Sequence, residues 1–145
     1  MEENLDSLME EIEELPTFES PRGFMRYGRI PYKIFRSLEN PADSLVNEEM
    51  PARYRVTPDT GGGESLSVWV WEGVPTDFRN TLFYHELKEA EFRFADGLSK
   101  DESHKRAVPL HMGYAKKFLP KDKFQQFLDW QSQYEAYNAE SFFGR

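Results

Sequence analysis

One histidine and two carboxylates share a face of the segment from Phe83 to Phe92, FYHELKEAEF. At a helical advance of about 100° per residue, with His85 set at zero, Glu89 falls near 40° and Glu86 near 100°, whereas Phe83, Leu87, Ala90 and Phe94 gather between about 140° and 200°. This combination of an apolar back and a separate His/Glu/Glu face is what a metal site on a helix needs. Residues four apart reach one cation together, and the acid at the next position stands beside them, free to act on a bound water. His85 and Glu89 are therefore candidate metal ligands, and Glu86 is a candidate general base. The same face also reads as an ordinary solvated surface, with Glu89 paired to Arg93 four residues on.

A third ligand has to come from elsewhere, and the chain has only three histidines. It has no cysteine, which excludes thiolate sites, disulfides and thiol nucleophiles. Any metal must be held by imidazole, carboxylate or carbonyl oxygen. His104 and His111 lie seven residues apart in the next helical segment, on a stripe shared with Val108, Ala115 and Phe118. Two helices joined by a short loop usually pack antiparallel, which would carry one of them over the His85 face. His104 is the favoured third ligand because it precedes Pro109, in the better-defined part of that helix; His111 is the alternative. Tyr114 is a candidate to stabilise a developing oxyanion, whereas Tyr84, at about 260°, points away from the face.

The elements that must position these residues form an α+β chain. Residues 1–16, MEENLDSLMEEIEELP, set Leu5, Leu8, Met9, Ile12 and Leu15 at helical spacing among acids and stop at Pro16, which reads as an acidic amphipathic helix. Residues 17–145 form a single domain. Between Pro21 and Val46 the pattern is mixed, with GFMRYG and IPYKIFRSL readable as short strands or as a strand and a helical turn. ARYRV and LSVWVWEG alternate and flank TPDTGGGES, which gives a small antiparallel sheet with a hairpin over about residues 52–72. Its three glycines read as the hairpin tip; a phosphate-cradling loop would end in GK[ST] and open a helix. A bundle of three helices follows: 76–97, ending at Gly97; 99–119, opened by a capping box of Ser99 and Glu102 and kinked or split at Pro109; and 121–140.

The strand LSVWVWEG, the helix FYHELKEAEF and the later histidine in ESHKRA together resemble the zincin-like metalloproteins, over about residues 66–118. In that group a strand precedes a helix bearing HExxH, two histidines bind zinc, the glutamate activates water, and a third ligand comes from a later helix. The resemblance implies a minimal, divergent member: a peptidase-like hydrolase with zinc on His85, Glu89 and His104, Glu86 as base, and the LSVWVW strand pairing its edge with an extended peptide. This chain departs from the group at Glu89, which replaces the second histidine. The added negative charge makes a bound water less acidic, and carboxylate ligation widens the metal choice towards manganese or iron.

Net charge narrows the partners. Of 26 acids, eight fall in residues 1–20, where there is no Lys or Arg, so the remaining 18 acids balance the 18 bases of residues 21–145. Neither an acidic arm nor a neutral body supplies the clustered positive field that phosphate backbones require, so nucleic acid is not expected as the main partner. No apolar run approaches the ~20 residues that span a bilayer, and the expected location is cytoplasmic. A protein or peptide is the expected substrate or partner. Two alternatives stand beside the hydrolase: an acidic, non-enzymatic interaction or inhibitor protein, and the same fold with a purely structural metal.

Overall fold

The computed structural model describes residues 11–16, 22–39, 46–59, 61–134 and 137. Among the described residues from 22 on, four strands, β1 (Arg22–Met25), β2 (Lys33–Glu39), β3 (Ala52–Pro58) and β4 (Glu64–Trp71), precede three helices, α1 (Arg79–Phe94), α2 (Lys100–Phe118) and α3 (Lys121–Gln131). A 3-10 turn, Thr76–Phe78, leads into α1. The chain is thus α+β, with the sheet N-terminal and the helices C-terminal.

The expected hairpin is present as β3 and β4, paired antiparallel from Ala52 opposite Val70 to Pro58 opposite Glu64. At its tip the Asp59 N–H donates to the Gly63 carbonyl at 3.0 Å, and the Asp59 carboxylate accepts from Ser65 Oγ at 3.1 Å. The sheet is mixed, and not purely antiparallel as the hairpin suggested, because its order is β1-β2-β4-β3. β4 returns between β3 and β2 and lies parallel to β2, with Ile34 opposite Leu66. Hydrophobicity explains the insertion: Leu66, Val68 and Val70 are fully buried, and a central position covers such a strand best. Trp69 and Trp71 occupy the other face and are half-buried.

Leu66, Val68 and Val70, with Ile34 and Ala52, form one core with Leu82, Phe83, Leu87 and Ala90 of α1. Each fully buried Leu or Phe contributes about 1.5–3 kcal/mol by leaving water. α1 is in contact with β3 and β4 and also with α2, so it is nearly enclosed. α2 begins with the expected cap, Ser99 Oγ accepting from the Glu102 N–H at 3.1 Å, and continues through Pro109 as one helix. α3 ends at Gln131, short of the expected residue 140. Residues 1–10 of the acidic N-terminal helix lie outside the described residues. Within 11–16, Ile12 and Leu15 are buried in the core; Leu15 N–H donates to Tyr114 Oη at 3.0 Å, and Lys117 Nζ donates to the Ile12 carbonyl at 2.7 Å.

The turn between β1 and β2 is tied to α1 by a buried acid. Glu91 Oε2 accepts from the Arg29 N–H at 2.8 Å and Oε1 accepts from Lys88 Nζ at 3.0 Å. Gly28 takes a φ of +48°, and a Cβ there would stand 2.0 Å from Glu91 Oε2. Both the left-handed backbone and the close approach require glycine. Gly28→Ala should destabilise the fold by about 2 kcal/mol or more, read as a lower midpoint in urea denaturation with an unchanged m-value.

Candidate metal centre

α1 supplies His85, Glu86 and Glu89 to a cluster completed by His104 and His111 of α2 and Gln131 of α3. The helix has almost no solvated face here: His85, Glu86 and Glu89 are all buried, so they do not form an ordinary charged surface. His104 Nδ1 lies 2.8 Å from Glu89 Oε1 and 3.1 Å from His85 Nε2, and His85 Nε2 lies 3.4 Å from Glu89 Oε1. Three ligand atoms around a tetrahedral zinc ion, each about 2.0–2.1 Å from it, stand roughly 3.3 Å apart. The atoms of His85, Glu89 and His104 stand at or somewhat inside that spacing, and the three could hold a metal ion.

The second histidine of α2 fixes the tautomer of the first. Gln131 Nε2 donates to Met112 Sδ at 2.8 Å, so Gln131 Oε1 is the atom that faces His111 Nε2, at 2.9 Å, and it must accept. His111 then carries its proton on Nε2 and presents a lone pair at Nδ1. His85 Nδ1 is 2.8 Å from that lone pair and therefore donates to it. The His85 proton is thus held on Nδ1, which leaves Nε2 unprotonated and turned towards Glu89 and His104. A ligating imidazole needs this state, and its orientation by a partner on the other ring nitrogen is a usual feature of metal sites.

Burial and charge separate the titration of the groups. Burial works to raise the Glu89 carboxyl, but the hydrogen bond from His104 and the neighbouring His85 outweigh it and hold it at about 2. Burial, reinforced by the Glu89 charge, pushes Glu86 well above the usual carboxylate range. Burial lowers His85 against the opposing pull of Glu89; burial and then the neighbouring His85 lower His111 well below the usual imidazole range. A cavity of about 210 Å³ opens beside the cluster, lined by Glu86, Glu89, His104, Tyr54, Arg53 and Lys100 among others. Burial, followed by the Glu89 charge, raises the pKa of Tyr54 there.

Of the residues singled out in the sequence, His85, Glu86, Glu89 and His104 converge. His111 lies behind His85 as its hydrogen-bond partner. Tyr114 is elsewhere: it stacks on Tyr84 with ring centroids 4.6 Å apart, and its hydroxyl is taken by the Leu15 N–H. β4 is flanked on both sides by strands, so it offers no edge to an extended peptide. Tyr54, Gln131 and Tyr137, whose ring centroid is 5.1 Å from that of His85, were not legible as site residues. They reach the cluster from distant segments, and no local spacing marks them.

The two buried imidazoles make stability sensitive to acid. Their folded pKa values lie below the unfolded value of about 6.5, so the stability they permit is fully present above that pH and is lost as pH falls towards the folded values. Each added proton contributes a slope of about 1.4 kcal/mol per pH unit. Thermal melts of the metal-free chain should show Tm falling between pH 7 and pH 5. His111→Gln should flatten that dependence. No protein-family model, curated protein or solved structure matches the chain.

Proposed function

We propose that the chain is a zinc-dependent hydrolase, with His85, Glu89 and His104 as the ligands and Glu86 as the general base, acting on a protein or peptide substrate. The observation that carries this reading is the approach of three ligand atoms within 2.8–3.4 Å of one another, with the His85 proton held on the ring nitrogen away from them. Two imidazoles and one carboxylate suit zinc, and three protein ligands leave a position for water or substrate. The carboxylate also keeps manganese and iron within reach.

A bound ion would supply Lewis acidity and a more acidic water. The chain's own contribution begins with Glu86, which lines the cavity with one carboxylate oxygen 3.7 Å from His85 Nε2. A carboxylate whose pKa is raised by burial accepts a proton more readily than an ordinary one, as a general base near neutral pH must. Glu89 remains ionised and offsets the ion's charge. His111 and Gln131 hold the His85 ring in register.

The geometry also favours a second reading, in which the metal is structural, because the ligands come from both α1 and α2 and an ion would tie the helices together. Metal content by mass spectrometry on protein purified without a His tag should give about one equivalent of zinc, lost in His85→Ala. Glu86→Gln should keep the metal and lower turnover of peptide substrates by about 10²-fold or more. A protein that unfolds on chelation, with Glu86→Gln without effect on metal or melting and no turnover in either form, would support the structural reading. No metal in either form would sink both. His111→Ala should weaken zinc binding by about 10–100-fold, measured by competition with a chromophoric chelator.

A further inference from the structure

The metal centre lies on the helix side of the sheet, and the opposite face is built of different residues. α1 packs on the face that carries Ile34, Leu66, Val68 and Val70. Alternation along the strands sends Phe24, Phe35 and Trp69 the other way, and none of the three belongs to the core. Register sets Phe24 of β1 opposite Phe35 of β2, with ring centroids 5.0 Å apart, and continues the row through Ser67 to Arg55. Trp69 stands in the next row, opposite Ser37, about 8 Å diagonally from Phe35 at the usual strand and residue spacings. Phe24 is 57% exposed, and Phe35 and Trp69 are half-buried. The short side chains of Ser37, Ser65 and Ser67 are buried between them, so the rings stand above a shallow floor. Charge is separated as well. The four strands hold five bases, Arg22, Lys33, Arg36, Arg53 and Arg55, against two acids, Glu39 and Glu64, a net of +3 in a chain of net charge −8. Three of the bases are engaged elsewhere: Arg36 turns into the core over the Phe83 ring, Arg53 lines the cavity beside the metal centre, and Arg22 pairs with Glu39 at 3.6 Å. Lys33 and Arg55 are exposed near the two ends of the aromatic group, and Lys33 Nζ lies 4.1 Å from the centroid of the Phe24 ring.

We propose that this open face of the sheet binds single-stranded nucleic acid, with bases stacked on Phe24, Phe35 and Trp69 and phosphates met by Lys33 and Arg55. The inference is independent of the metal reading and concerns the other side of the sheet. Exposed rings on a sheet supply a stacking surface that any unpaired base can use, and cationic side chains at its margin follow the backbone. A duplex keeps its bases stacked on one another and offers the rings nothing, so the strand must be single. A second copy of the chain suits the face poorly, because a two-fold contact brings the same positive patch against itself. The balanced charge of residues 21–145 hides this arrangement. The bases of the sheet come from separate segments, and in sequence order the acids of the intervening turns and helices cancel them; only strand pairing gathers them on one surface.

Fluorescence anisotropy of a labelled oligothymidylate of about 12 nucleotides, free and paired with oligoadenylate, titrated with the full chain, tests this. The single strand should bind at least about tenfold more tightly than the duplex, equally well with and without a chelator. Phe24→Ala, at an exposed position that leaves the core intact, should weaken binding about fivefold or more, whereas Phe24→Tyr keeps a ring and should bind as the parent does. Lys33→Gln and Arg55→Gln should each flatten the slope of log affinity against log salt by about 0.7. No binding at low salt, equal affinity for the duplex, or an affinity unchanged in Phe24→Ala and in both charge variants would overturn the inference. A dimer in sedimentation that Phe24→Ala dissociates would overturn it too and give the face to a second copy. Binding lost on chelation would move the contact to the metal centre and overturn it likewise, while every one of these results leaves the metal reading itself untouched.

Discussion

A helix that is buried on nearly every side cannot leave its polar side chains to water. α1 runs between the sheet and α2, and from Thr81 to Glu91 every residue except Lys88 is buried. Four of those buried residues, His85, Glu86, Glu89 and Glu91, carry an imidazole or a carboxyl group. Each unsatisfied one would cost several kcal/mol, so the surrounding elements are arranged to answer them. Glu91 is met by the Gly28–Arg29 turn and by Lys88, Glu89 by His104, and His85 by His111, which is met in turn by Gln131. The packing of β1, β2, α2 and α3 around α1 is in this sense set by polar demand as well as by apolar area.

The same demand separates the two neighbouring acids electrostatically. Glu86 and Glu89 stand three residues apart on one helix, yet hydrogen bonds hold Glu89 charged while burial and the charge of Glu89 disfavour ionisation of Glu86. Two carboxylates pushed apart in this way are suited to different tasks, one as a permanent negative ligand and one as a proton acceptor. Neighbouring segments continue the division: α2 contributes an imidazole through His104, and β3 and the first turn of α2 contribute positive charge through Arg53 and Lys100.

Topology decides which strand can take part. Because β4 enters the middle of the sheet, both of its edges are committed to the fold, and β3 becomes the edge strand that borders the cavity with Arg53 and Tyr54. Tyr114, plausible on type alone, is drawn away by the N-terminal segment, whose Leu15 N–H needs an acceptor once it is buried. Competition for hydrogen-bond partners thus separates two tyrosines that composition cannot distinguish.

The sequence by itself determined what depends on neighbours a few residues away. Alternation and the glycine-rich tip located the β3–β4 hairpin, the Ser99 cap located the start of α2, and four-residue spacing placed His85 and Glu89 on one face. These features follow from local backbone geometry, whose periods are fixed. Tertiary structure alone decided that this face is buried rather than solvated, and that β4 runs parallel to β2. It also decided that His104 meets Glu89 while His111 supports His85 from behind. Pairing register and the rotation of one helix against another are set by contacts between residues far apart in the chain, and no local pattern encodes them.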